Sequence, residues 1–328
     1  MQFKRWRLVA DRLLVNAGAT SLLIFMAACG GPADDATPSP PEETAPQDAP
    51  GDIISLPAVW STTPLDAPVA DLALAGGASS LMAVAYEGRG LELFNLEADR
   101  VADIAGFAIE DLANGHYAEI DGAGVTVFPG LNREGDLKAY VYGDGLITPA
   151  QVDLPVEADG RIAGICSTRA QGREGDILRL GYWTDEAPRR LQVGVISVED
   201  GEFAWRDVSE GEAGMDIGAC SLEGRMEFSE TGASARGGLV RPGSFARVTL
   251  SQAGELRAGR EDEALSPLAL RDGITVRVPV KPSAMAALGA PFGGGYPGGV
   301  IVVAGETGPG THQAVFVDAG DLTAPSGQ

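Results

Sequence analysis

Lysine is almost missing from this chain. Beyond Lys4 only Lys138 and Lys281 occur, and Lys and Arg together number 24 against 46 Asp and Glu, a formal net charge of -22. A chain so short of base has no footprint for DNA, RNA or an anionic lipid surface. Histidine occurs only as His116 and His312. A zinc centre needs three or four His, Cys or carboxylate ligands, so two isolated histidines read as surface or turn residues. No G-x-S-x-G elbow and no G-x-x-x-x-G-K-[ST] loop is present. The formal G-x-G-x-x-G match, GGGYPG at 293–298, holds a Pro with no helical pattern after it and reads as a loop. Acid clusters such as REDEA (260–264) lack the alternating Asp/Asn spacing of a dedicated calcium loop. Helical periodicity is scarce as well.

Base is concentrated at the start. Lys4, Arg5, Arg7 and Arg12 precede a mostly apolar run from Leu13 to Ala28, the pattern of a secretory signal rather than a membrane span. Met26 to Cys29, MAAC, resembles a bacterial lipobox with Met in place of the usual Leu. That resemblance implies cleavage before Cys29 and acylation of its sulfur and new amino group, including palmitate. Several acyl chains, at about 0.8 kcal/mol per buried methylene, anchor a protein stably. Gly30, rather than Asp, favours the outer membrane by the sorting rule for such lipoproteins. Residues 30–52 carry six prolines, six carboxylates and no base, a composition that cannot offset its ordering entropy. The organisation expected is a lipoprotein signal peptide over 1–28, a lipidated Cys and disordered tether over 29–52, a folded domain over 53–323 and a tail over 324–328.

The rest offers short alternating or apolar runs, among them SLMAVAY, GLELFNL, LKAYVY, QVGVISV and QAVFVD, punctuated by Gly, Asp, Asn and Pro. Such spacing predicts an all-β fold. RIAGICST (161–168) returns as DIGACSL (216–222), and similar openings occur at LPAVW (56–60), AGFAI (105–109) and PSAMAAL (282–288). A period near 50 residues fits a β-propeller of five to six four-stranded blades, the sixth lying between Ile217 and Ser283. The echo sets Cys166 and Cys220 at equivalent positions. They are small residues suited to crowded innermost strands, and an oxidising compartment would let a disulfide persist, so pairing stays open. Trp60, Trp183 and Trp205 recur about once per blade and read as fillers between sheets.

Laid out in blades, several stretches resemble the β-propeller phytases, calcium-dependent phosphatases with six blades. LPAVW followed by LMAVAYEGRGLELFNLE is similar to that family's first blade. GLNREGDLKAYVYGDGLIT resembles its Ser-Asn-Arg stretch and the strand after it. IAGICSTR, LEGRMEFSETG and the closing YPGGVIVVAGETGPGTHQAVFVDAGDL follow in the family's order. The resemblance implies that Asn132, Arg133 and Arg89 contact substrate phosphate, that Asp216 and Glu230 are catalytic, and that Glu227, Glu230 and Glu306 hold calcium. Departures are marked. Ser55 and Leu56 stand where the family has two acids, Ala163 replaces a Tyr, and Gly305 replaces an Asp, with Glu306 beside it.

Two functions follow. One is a membrane-anchored, monomeric binding or interaction module with an eroded phosphatase site, its ligand anionic or calcium-bridged. The alternative is an active calcium-dependent hydrolase of phosphate esters such as phytate. The anchor has its own test. A chain expressed full length in a bacterial host with an alkyne analogue of palmitate is expected to become labelled, and Cys29→Ala to abolish the label. Undiminished labelling of Cys29→Ala would overturn lipidation at this site.

Overall fold

Nearly every alternating run becomes a strand, because Gly and Asp turns interrupt each before a helix could accumulate hydrogen bonds. The computed structural model describes residues 53–323, apart from 78–79, 104–107, 121, 144–147, 187–188, 214–218, 224–226, 230–231 and 261–262. The first described strand, β1 (Ile54–Ser61), belongs to the last sheet. A four-stranded sheet follows: β2 (Val69–Ala75), β3 (Leu81–Tyr86), β4 (Leu91–Phe94) and β5 (Arg100–Asp103). The second contains β6 (Ile109–Leu112), β7 (His116–Ile120), β8 (Ala123–Asn132), β9 (Leu137–Gly143) and β10 (Ala150–Asp153). Here β6 and β7 pair with opposite ends of β8, so they act as one inner strand broken at Ala113–Gly115.

The third sheet is β11 (Ile162–Arg169), β12 (Asp176–Thr184), β13 (Arg190–Glu199) and β14 (Glu202–Ala213). The fourth, among the described residues, is only a hairpin of β15 (Ala219–Ser221) and β16 (Glu227–Ser229). The fifth holds β17 (Ala233–Arg241), β18 (Ser244–Ser251), β19 (Leu256–Arg260) and β20 (Ser266–Arg271). In the sixth, β21 (Lys281–Leu288), β22 (Val300–Gly308) and β23 (Thr311–Asp318) are completed by β1, which pairs antiparallel with β23. On its other edge β1 pairs parallel with β20, joining the fifth and sixth sheets. A four-residue helix, α1 (Gly320–Thr323), ends the described chain. No helix among the described residues is long and apolar enough to cross a membrane.

The six first strands pack in a closed sequence: β2 on β6, β6 on β11, β11 on β15, β15 on β17, β17 on β21, and β21 back on β2. This is a β-propeller of six blades, and the blade expected between Ile217 and Ser283 is the fifth, with its inner strand at 233–241. One sequence opening moves. LPAVW is the outer, closing strand of the last blade, and the first inner strand is Val69–Ala75. An outer strand and an inner one share the same alternation, so the pattern alone does not separate them. Core apolar side chains such as Leu74, Val84, Val302 and Phe316 are wholly buried between blades. Each such side chain contributes about 1.5–3 kcal/mol.

The tryptophans do not fall one per blade. Trp183 and Trp205 lie in the same sheet, on β12 and β14, each over a glycine of the neighbouring strand, Gly164 and Gly194, where no β-carbon would fit. Trp60, on the closing strand, is 50% exposed. GGGYPG is a loop as read, and it sends Phe292 and Tyr296 into the core against Phe316.

Inner strands leave an edge of N–H groups toward the axis that no ladder satisfies. Asp71 Oδ2 accepts from Leu112 N at 2.6 Å, and Asp111 Oδ2 accepts from Ile165 N at 2.8 Å, stitching blade one to two and two to three. Asn114, in the break of the second inner strand, accepts from Leu74 N and donates to Ala287 O, tying blades one, two and six. Blade three has Gly164 where its predecessors have Asp. There the link is covalent, a Cys166–Cys220 disulfide to blade four with Cα atoms 5.7 Å apart.

That bond closes a span of 54 residues. Chain-entropy accounting for a loop of this size gives about 4 kcal/mol. Cys166→Ala with Cys220→Ala is therefore expected to lower the urea midpoint well below that of the oxidised chain, with reductant doing the same to the parent. Coincident denaturation curves would refute a stabilising bond.

Candidate functional site

Registers fix which end of the axis carries the predicted charges. The inner strands run parallel, and their N-terminal ends form a depression of about 270 Å³ lined by Asp71, Glu110, Asp111, Arg161, Ser234 and Ser283. We call this end the mouth. Each hairpin turn joining a second strand to a third lies level with it, since Val69 pairs with Tyr86, Ile109 with Asn132, Ile162 with Thr184 and Lys281 with Glu306. Arg89, Asn132, Arg133 and Glu306 thus share the mouth face, one to two strands out from the axis.

Their individual roles differ. Asn132 is occupied by its own turn: Oδ1 accepts from Asp136 N at 2.7 Å and Nδ2 donates to Asp136 Oδ2 at 2.9 Å. Glu306 caps its hairpin through Gly310 N, 2.8 Å away. Arg89 is exposed in the turn after Tyr86. Arg133 donates from Nε to Glu110 Oε1 at 2.7 Å, and its side chain is 73% exposed. Its terminal nitrogens have no partner among the described residues. Glu227 pairs with Ser221, at the end of its hairpin remote from the mouth. Asp216, Glu230 and Cys29 lie outside the described residues.

Sequence reasoning missed Arg161. Its Nη2 and Nε donate to Arg133 O at 2.8 and 3.2 Å, and it stands 3.9 Å from Glu110 and 3.8 Å from Asp185. One carboxylate, Glu110, is thereby held between two guanidiniums at the rim. Nothing in the pattern of 161 marked it, because it lies just before its strand.

Below the rim sits a second missed pair. Asp71 and Asp111 are buried and hydrogen-bonded to each other, and burial raises both. The Asp111 charge also raises Asp71, and Asp111 is pushed up to about 6. Their signal was in plain view: VADL and IEDL repeat the same Asp at the same height. Deeper, the axis holds a cavity of about 70 Å³, room for a few waters rather than a substrate. Glu223 lines it, its pKa raised by burial to about 7, with Thr168 bonded to it.

His116 is buried, not a surface or turn residue, and burial with the Arg169 charge lowers its pKa to about 4. Its Nε2 lies 3.2 Å from Ser167 Oγ. Ser167 donates its proton to Asn114 O at 2.5 Å, so His116 must be the donor in that contact and Ser167 is not activated as a nucleophile. Among the described residues no three His, Cys, Asp or Glu gather as a metal site.

No family model matches the chain, and no curated protein matches it. Among solved structures it is similar to a variant Aleuria aurantia lectin in complex with alpha-methyl-L-fucoside: 10% identity, 81% of this chain, 99% of that one, TM-score 0.49. BBS1N in complex with ARL6DN gives 10% identity over 84% of this chain and 99% of that one, TM-score 0.49. A variant of AofleA from Arthrobotrys oligospora gives 9%, 80%, 92% and 0.49. The ring follows from the strand pairing within each blade and from the closed packing of the six inner strands.

The acid pair makes a signed prediction. A carboxyl raised in the folded state binds more protons than the unfolded chain, so its contribution is present at low pH and is lost as pH climbs through about 6. His116, lowered, acts oppositely between about 4 and 6.5, which makes a difference measurement the right one. Asp111→Asn is expected to gain stability relative to the parent between pH 4 and 8, by about 2–3 kcal/mol. Urea melts across that range check it. A difference that stays flat, or falls with pH, contradicts a raised pair.

Proposed function

We propose that the chain is a lipid-tethered envelope protein whose propeller is a binding module, receiving an anionic, phosphate-bearing ligand at the mouth face. The observation that carries this reading is the pair of guanidiniums, Arg133 and Arg161, bracketing Glu110 at the rim. An exposed ion pair adds little to stability, between about 0 and 1 kcal/mol, so folding gives weak reason for two cations here. Ligand capture gives a better one. A guanidinium offers a planar fork that matches two phosphate oxygens, and Arg133 keeps its outer nitrogens toward solvent. The acidic body around the site repels anions at long range, which favours a ligand whose phosphate charge is partly neutralised by a bound cation.

The resemblance to β-propeller phytases supports the same placement of Arg133 and Arg89. The proposed calcium would draw on Asp216 and Glu230, as the resemblance implies, with Glu306 on the mouth face, as hard cations take carboxylate oxygens; Glu227, remote from the mouth, would not take part. No catalytic step is derived through it. The soluble domain from residue 53, mixed with inositol hexakisphosphate and millimolar calcium, is expected to bind in calorimetry without releasing phosphate. Arg133→Ala with Arg161→Ala should weaken binding by at least about tenfold, some 1.4 kcal/mol. Phosphate release that a chelator abolishes would replace this reading with the hydrolase. Absence of binding with and without calcium would remove both.

A further inference from the structure

The opposite face carries a larger recess. Between blades one and two lies an open cleft of about 940 Å³, lined far from the mouth by Gly77, Ser80 and Leu81, by Asn95 to Glu97, by Tyr117 of β7 and the start of β8, and by the end of β9. Its size suits a small ligand. The chemistry of its walls is narrow. Their described residues include no Lys, Arg or His, and Glu97 is their only ionisable carboxylate. In a chain of charge -22 such a recess excludes phosphates and nucleic acids.

An aromatic platform is built into it. Tyr117, 48% exposed, lies across the backbone of Gly124 on the neighbouring strand. A β-carbon at Gly124 would collide with the Tyr117 hydroxyl and come within 3.1 Å of its ring. Glycine at 124 therefore leaves room for the hydroxyl end of Tyr117 to reach over the neighbouring strand, while the half-exposed ring lines the cleft. Tyr142 stands beside it as a second aromatic in the lining. The turn opposite is held in place from both ends. Asn95 Oδ1 accepts from Asp99 N at 2.8 Å, and Trp60 Nε1 donates to Glu97 O at 3.1 Å. The Glu97 carboxylate and the Asn95 amide N–H groups have no partner among the described residues.

From this juxtaposition we infer that the cleft between blades one and two is a carbohydrate site, in which a neutral pyranose stacks on Tyr117. A pyranose presents one face of C–H groups and a rim of hydroxyls. The C–H face suits the flat aromatic ring, whose π-electron face is negative. The hydroxyls suit a carboxylate acceptor and an amide donor on the facing turn. A rigid Tyr with two side-chain torsions gives contact area at small entropic cost. This site is separate from the mouth, and neither depends on the other.

The test uses the full chain solubilised in a detergent without a sugar headgroup, in saturation-transfer NMR with a panel of neutral methyl glycosides. At least one glycoside is expected to receive saturation at its ring C–H protons. Tyr117→Ala should weaken that glycoside by about tenfold or more, Tyr117→Phe should retain it, and Arg133→Ala should leave it unchanged. Glu97→Gln is expected to weaken it by severalfold. Thermal melts of each variant exclude unfolding, which an exposed Tyr makes a small concern. No transfer to any glycoside at millimolar concentration overturns the inference. So does binding that Tyr117→Ala leaves intact, or a cleft that takes extended peptides and no sugar.

Discussion

Everything in this molecule depends on one strand being held from both sides. β1 supplies the fourth strand of the last blade and at the same time pairs with the outer strand of the blade before it. Ala58, Trp60 and Ser61 lie against Val317, Phe316 and Val315, while Ile54 to Pro57 lie against Leu268 to Arg271. Without that pairing β20 and β23 would present bare edges, and an unpaired edge of such length invites association with other chains. With it, inner strands meet around an axis, and both functional faces acquire fixed geometry.

The axis is closed by chemistry that differs from blade to blade. Carboxylates cap backbone N–H groups between blades one, two and three, an amide bridges across blades six, one and two, and sulfur joins three to four. The common requirement is that the inner edges face a space too small for bulk water. Each orphan donor therefore needs a partner from the adjacent blade. Ala and Gly crowd these strands for the same reason: a β-carbon at Gly237 would strike Ala287, and one at Gly289 would strike the backbone at Val240. A narrow, stitched axis leaves the two faces, not the centre, as places where anything larger than water can sit.

Much of this was legible before any coordinates. The echo of RIAGICST in DIGACSL located two neighbouring inner strands, and because equivalent positions on such strands face one another, it also carried the disulfide. That second consequence stayed open, since the same residues also suit a dry core. LPAVW was misplaced because its alternation belongs equally to an outer strand. The blade at 233–271 was placed only as an interval, without an opening of its own, because Gly237 and Gly238 break its apolar run. Asn132 and Arg133, singled out through the resemblance, lie at a turn that the fold sets level with the mouth. Arg161 and Glu110, which complete the rim, flank different strands and converge only when the blades do. The Asp of VADL and IEDL was visible as a repeat, but its purpose required knowing that Leu112 and Ile165 lack ladder partners.

The closing strand has a kinetic corollary. Ile54 awaits Leu268, and Ser61 awaits Val315, partners made more than two hundred residues later. Such distant pairing is slow, because the entropy of drawing the chain together is spent before any contact repays it. The segment synthesised early is thus seated last. Until the C-terminal hairpin arrives, the nascent ring stays open at a single seam, and a chain truncated before Thr311 would have no means of shutting it.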